Sequence, residues 1–476
     1  MPRYKQPSDL EQLALHSLRK YICDIAYSML CGTHKVNFSA LHKFLYSELP
    51  GKLCDKISQE ILIAASEMFT EIENSTKCFE KEPWSKYENV MESMVLLSIH
   101  PQLGVLNMIP WQLWAQEVLC RNLYSMSNLR VLELDVQFPG WLDEELVIIG
   151  LSCMTGLLSF SMYQYCSDRI LAALSCHCTQ LQTLIVTCSR DITDCSIEPV
   201  RSFRNLRCLS LLYTSIKTEG FHQLLSKETG KTHPFSLHML ELSFMKSCHL
   251  NLNNLVNIWP NLYRIYLDNI QDDLSGLALL NKLREVKLCA CNFFTHNIKG
   301  LLLDRGKHLI SLEFISVKDV DILLVCQTCP RLRTLSLRNC SLLDITSSSL
   351  TQLQPTHEPF QLLEHLALQR NYNLYHLPLL LRFCVNIRTL KISDVADVFV
   401  YFMDDVLSRN SLKHLEEFRI GWNRSLTMRT VRLLVEHCPR LSVIGGLQRC
   451  TQISKMELES FRQELTASNL DIHIVK

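Results

Sequence analysis

The chain carries no excess charge of either sign: Lys and Arg total 48 and Asp and Glu total 48 among 476 residues. Without a net basic field, nothing draws the whole chain to nucleic acid or to an anionic membrane surface. Basic runs interleaved with aromatics are missing as well. Glycine is scarce, at 14 residues. Gly230-Lys231-Thr232 looks like the tail of a phosphate-binding loop, but Leu225 stands where that motif requires its first glycine. The segment also leads from a helix into a strand, the reverse of the motif's context. Nucleophile elbows, His-Glu-x-x-His helices and paired acidic motifs do not occur, so no catalytic constellation and no cofactor is expected. The N-terminus, Met1-Pro2-Arg3-Tyr4-Lys5-Gln6-Pro7-Ser8-Asp9, lacks the apolar core of a secretory signal, which points to a cytoplasmic and/or nuclear protein. The uncharged window from Leu146 to Ser167 contains Ser152, Thr155, Gly156, Ser159, Ser161 and Gln164. It reads as a buried helix and strand and not as a bilayer span.

Cysteine, by contrast, is plentiful at 21 residues, yet nothing suggests an oxidising compartment. Cys326-Gln327-Thr328-Cys329 has the spacing of a zinc pair and Cys176-His177-Cys178 adds possible ligands, but no second pair lies at a suitable distance. Packing explains them better, because a free cysteine behaves as a small buried hydrophobe. No metal site is expected.

What the chain does have is a repeat. An apolar residue at positions one, four and six of a short phrase recurs thirteen times, from Leu129-Leu132-Leu134 to the weaker Leu441-Ile444. First positions are 21 to 31 residues apart, which centres within the roughly 20–29 of a leucine-rich repeat. Alternate strand residues face opposite sides, so positions four and six point inward and three, five and seven outward. No single repeat can bury its apolar face alone. The fold expected is therefore α/β: a curved leucine-rich-repeat solenoid with a parallel sheet on its concave face, helices such as Thr427 to Val435 behind it, and a small all-α module in front. Cys178, Cys329, Cys384 and Cys438 each precede a first position by three residues, and Cys291 and Cys340 follow a strand by three, which suits turn packing. The aligned outward positions form the natural binding surface, and among them Arg264, Tyr266, Asp268, Glu285, Lys287 and Glu313 make a mixed-charge cluster around one aromatic, the candidate contact with a protein substrate.

Ahead of the repeats, Ser8-Asp9-Leu10-Glu11 is a capping box opening a helix from about Asp9 to Cys31, along which Leu10, Ala14 and Leu18 recur every four residues. Leu49-Pro50 then opens a second helix with Leu53, Ile57, Ile61, Ala64 and Met68 on its apolar face. The boundaries expected are a helical module at 1–70, a helical connector or degenerate repeats at 71–125, the repeats at 126–450 and a C-terminal cap at 451–476.

The first of these motifs, at 9–18, resembles the BC box that binds elongin C, and the second, at 49–57, resembles the cullin-2 box of VHL-box proteins. With leucine-rich repeats behind them, the chain resembles the Zyg/Zer-type substrate receptors of cullin-2/elongin BC ubiquitin ligases, without their armadillo repeats, and more loosely the PRAME-like receptors. The resemblance implies that Leu10 enters an apolar pocket of elongin C, Ala14 permits close approach and Leu18 extends the contact, while Leu49, Pro50, Leu53 and Ile57 meet the cullin. The implied partners are elongin C with elongin B, cullin-2 with its RING subunit, and a protein substrate, with no catalysis by this chain. An F-box receptor of a cullin-1 ligase also begins with Leu-Pro and spaced aliphatics, and a repeat scaffold unrelated to ubiquitin would use the first helices only as a cap.

Overall fold

Each of the thirteen phrases forms a strand starting two residues after its first apolar position. The computed structural model describes residues 10–31, 38–47, 51–76, 84–108, 111–135, 143–226, 235–244, 252–343, 360–371, 381, 383–393, 406–407, 410, 412–424 and 426–475. The chain divides into two compact units, Pro7–Leu237 and His238–Lys476.

The first unit begins with four helices, α1 (Leu10–Leu30), α2 (Phe38–Ser47), α3 (Gly51–Thr76) and α4 (Trp84–Leu97). Contacts between α1 and α3 advance together along both helices, from Glu11 with Lys56 through Arg19 with Glu60 and Glu67 to Tyr27 with Glu71, so the two run parallel. Small residues at the seam, Ala26 on α1 and Ala64 and Ala65 on α3, are fully buried and allow that approach. Ile57, Ile61, Ala64 and Met68 face the module's own core. The expected start of α1 at Ser8 and Asp9, and the Leu49-Pro50 start of α3, lie outside the described residues.

Five strands follow: β1 (Val105–Asn107), β2 (Val131–Asp135), β3 (Ser159–Tyr163), β4 (Thr183–Thr187) and β5 (Cys208–Leu211), each paired in parallel with the next. The uncharged window resolves as expected into a helix, Glu144–Ser152, and β3. In the second unit ten strands continue the pattern, β6 (Met239–Ser243), β7 (Arg264–Asp268), β8 (Glu285–Cys289), β9 (Ser311–Ile315), β10 (Thr334–Arg338), β11 (His365–Gln369), β12 (Thr389–Ser393), β13 (Glu417–Ile420), β14 (Val443–Gly445) and β15 (His473–Val475). These too pair in parallel in sequence order. This is a leucine-rich-repeat fold. Pairing extends past the counted phrases: β1 carries the same phrase as Leu103-Leu106-Met108, and β15 follows the helix Lys455–Ala467.

Positions one, four and six of the phrases are buried throughout, each large aliphatic removed from water contributing about 1.5–3 kcal/mol. The strands end in a shared device. Position eight is left-handed in Gln164, Cys188, Tyr213, Asn269, Ala290, Ser316, Asn339 and Arg370, with φ between 51° and 66°. That conformation aims the residue's N–H at the following strand, as in Ala290 N to Ile315 O at 2.9 Å and Asn339 N to Gln369 O at 2.7 Å. The turn thus adds one more rung to each ladder, at a local cost that only glycine would avoid.

The repeated cysteines pack as expected. Cys178, Cys329 and Cys438 cap the C-termini of the helices Asp168–His177, Ile322–Thr328 and Met428–His437, and with Cys384 they are fully buried. Burial raises the Cys178, Cys384 and Cys438 thiols to about 12 and Cys329 to about 11, so they stay protonated at neutral pH. The Cys178 thiol reaches the Met154 carbonyl at 3.4 Å. At the strand's far end Asn371 is buried between repeats, accepting from Cys340 N at 2.9 Å and donating to Leu337 O at 2.8 Å.

Two measurements follow from these interactions. Ala290→Gly removes the steric cost of the left-handed turn without altering a buried contact, and should raise stability to urea by about 0.5–1 kcal/mol. His100 is buried, stacked on Tyr46 at 4.2 Å beside His42, and neither ring nitrogen finds a hydrogen-bond partner among the described residues. Burial lowers its pKa to about 4. The unfolded chain therefore binds the extra proton first: stability is full above about pH 6.5 and falls as the pH drops toward 4. Urea titrations at several pH values should show that loss, and His100→Phe should flatten it.

Candidate functional site

An α-helix turns by about 100° per residue, which sets Leu10, Leu13, Ala14, Ser17 and Tyr21 on one side of α1 and Ile22, Ala26 and Leu30 on the side packed into the module. The packed side is buried. The outer side is an apolar strip open to solvent, with Leu10 83% exposed, Leu13 51% and Tyr21 57%. Ala14 lies exposed between them. Leu18 sits at the border and is half-buried. The exposed strip is accordingly Leu10-Leu13-Ala14-Tyr21, not the every-fourth-residue series Leu10-Ala14-Leu18. Spacing by four drifts around the helix and leads into the packed side, whereas steps of three and four stay on one face.

The helix is held by its polar flank. Arg19 reaches both Glu60 and Glu67 at 2.9 Å, Lys56 pairs with Glu11, and the Tyr27 hydroxyl donates to Glu71. Because the helices are parallel, the first turn of α1 lies beside the first turn of α3. Leu53 is half-buried there. Ile57, one turn on, is 5% exposed and inside the core, so it supports α3 and offers no surface contact in this state. The reason is the same packing that buries Ile61 and Ala64 along its stripe.

On the sheet face of the second unit, the six substrate candidates are brought together, with Arg264 exposed and Tyr266 and Asp268 buried. Arg264 pairs with Glu285 across β7 and β8, and Lys287 Nζ lies 3.4 Å from Glu313 across β8 and β9. Lys287 also sits 4.5 Å above the Tyr266 ring. Tyr266 and Asp268 are each only 6% exposed, and both side chains bond the Cys289 thiol, which burial raises to about 12. The aromatic and Asp268 are therefore buried within the cluster, Lys287 lying over the ring and the charges pairing from strand to strand, while Arg264 stays exposed. At position two, one residue ahead of β10, β11, β12 and β13, stands a second set of charges, with Arg333 to Glu364 at 3.0 Å, Arg388 to Glu364 at 3.9 Å and Arg388 to Glu416 at 3.7 Å.

Among the described residues no group of three or more His, Cys, Asp or Glu could hold a metal ion, and no helix is long and apolar enough to cross a membrane.

No protein-family model matches the chain, and no curated protein does. Solved structures similar to it include the complex of Rad7 and Elc1 from yeast, at 12% identity over 94% of this chain and 97% of that one, with a TM-score of 0.36. The functional domain of InlJ from Listeria monocytogenes, which includes a cysteine ladder, is 13% identical over 75% of this chain and 69% of that one, with a TM-score of 0.32. Internalin C2 from Listeria monocytogenes is 14% identical over 52% and 84%, with a TM-score of 0.25. Values this low concern the type of fold alone.

The two sides of the module respond differently to charge. Leu10→Asp and Tyr21→Ser should change urea stability by less than about 0.5 kcal/mol, as surface substitutions do. Ile57→Asp should cost more than about 3 kcal/mol by burying an unpaired carboxylate.

Proposed function

We propose that the chain is a non-catalytic substrate-recognition subunit of a cullin-RING ubiquitin ligase, joined to cullin-2 through an elongin C-type adaptor with its elongin B partner. The observation that carries this reading is the strip on α1. A helix serving only to cap the repeats would turn its apolar residues inward, yet Leu10, Leu13 and Tyr21 stand in solvent while the opposite side of the same helix is buried. Helix-in-groove recognition requires such anchors at helical spacing. Leu10 is the pocket-filling residue, Ala14 lets the partner helix approach, Leu13 and Tyr21 widen the contact, and Leu18 borders it.

The start of α3 lies beside the start of α1, so a cullin reached through Leu53 and the preceding Leu49-Pro50 would abut the adaptor. Ile57 keeps that end of α3 in place from within. A protein substrate held on the strand face would be brought near the ubiquitin-loaded enzyme, and the gain in transfer rate would come from proximity alone. A cytoplasmic and/or nuclear setting accords with this role.

The test is co-purification of the full chain with elongins B/C and cullin-2, with the cullin-1 adaptor as control. Wild type should capture the elongins and cullin-2, while Leu10→Asp and Tyr21→Asp should capture neither and keep their circular dichroism. Capture of the cullin-1 adaptor instead, or of no adaptor, would overturn the reading.

A further inference from the structure

The sheet face of the second unit changes character along its length. Over β6 to β9 the outward cations are matched, Arg264 by Glu285 and Lys287 by Glu313, with Glu241 and Asp268 beside them. Over β10 to β14 the outward positions carry Arg338, Lys391 and Arg419 against a single carboxylate, Glu417. That carboxylate is shared, lying 3.8 Å from Lys391 and also contacting Arg419. Arg338 forms no ion pair among the described residues. All three cations are exposed.

Trp422, immediately after Gly421 at the end of β13, is 66% exposed. Several outward positions around these groups are small, Ser336, Ala367, Ser393, Gly421 and Gly445, while Gln369 lies beside Arg338 and His365 stands at the other end of β11. A Cβ on Gly421 would lie 2.5 Å from that of Ser393, so no larger side chain fits there and the floor stays low. Lys391 and Arg419 are direct partners in the β12–β13 register. Strands about 4.8 Å apart put β10 and β13 roughly 14 Å from each other, and an extended peptide carries same-side residues about 6.8 Å apart. Two or three acidic side chains at alternate positions therefore span the cationic strands.

We propose that the face of β10 to β13 binds an extended acidic segment of a protein, its carboxylates meeting Arg338, Lys391 and Arg419 and one apolar residue resting on Trp422. This names a substrate class for the receptor reading above and rests on it only for the fate of what is bound. A protein segment fits better than a nucleic acid. Glu417 contacts both Lys391 and Arg419 on this face, and Glu364 and Glu416 stand one residue ahead of β11 and β13, paired with Arg333 and Arg388; a continuous phosphate backbone would run against these carboxylates, whereas separate carboxylates can be placed between.

The experiment uses the full chain without any adaptor, so failure here leaves the adaptor reading untouched, and failed adaptor capture leaves this one untouched. Fluorescence anisotropy would follow a short labelled peptide with Glu at alternate positions and one Phe, beside a twin in which every Glu is Gln. The acidic peptide should bind, weaken as salt rises, and lose about tenfold or more in affinity with Lys391→Gln/Arg419→Gln or with Trp422→Ser. Lys287→Gln, on the compensated part of the face, should change it by less than about twofold. Equal binding of the twin, no binding of either peptide, or variants that bind like wild type would overturn the proposal. So would single-stranded RNA that binds more tightly and displaces the peptide.

Discussion

Everything in the two repeat units depends on the parallel backbone ladder between one strand and the next. A parallel pair cannot be closed by a tight turn, so the chain must leave the sheet, cross behind it and return in register. The buried positions one, four and six make that return favourable, and the left-handed residue after each strand makes it regular. Gln164, Cys188, Ala290 and Asn339 share one conformation and one hydrogen bond although their side chains have nothing in common. The backbone requirement outranks side-chain preference at that position. The buried cysteines at the helix ends and Asn371 between strands serve the same end, supplying compact groups where neighbouring backbones come close.

The helical module answers to a different constraint. Parallel helices bring like ends together, and α1 and α3 keep that arrangement through the Arg19 pairs with Glu60 and Glu67 and the Lys56 pair with Glu11. Those contacts use up the polar flank and the alanine seam of α1 and leave its third side uncovered. An exposed strip of leucine and tyrosine beside a well-packed seam is the arrangement a partner would complete.

Much of this was legible in the sequence, because a period near 25 residues and an inward-outward alternation are one-dimensional patterns. The thirteen strands, the two module helices and the cysteine placements could all be read that way. Leu103-Leu106-Met108 lies in 71–125, where the sequence left a helical connector and degenerate repeats both open, because a phrase standing alone ahead of the array has no neighbour to set its register. The surface was harder to read. Which side of an amphipathic helix faces out depends on its neighbours, so Leu13 and Tyr21 did not declare themselves and Leu18 and Ile57 looked more available than they are. Outward strand positions likewise need not be open: Tyr266 and Asp268 are covered by side chains from adjacent strands, and only the three-dimensional register shows which ones meet.

The alternating charges at position two bear on how such an array avoids errors. Identical repeats can dock out of turn while a chain folds, since every strand edge resembles every other. Arg333, Glu364, Arg388 and Glu416 immediately precede four consecutive strands, with signs that alternate. Skipping one repeat would set Glu364 against Glu416, or Arg333 against Arg388, and like charges on paired strands repel. The ladder acts as a parity check on strand order, discriminating the correct neighbour from the next one along even where its ion pairs add little to final stability.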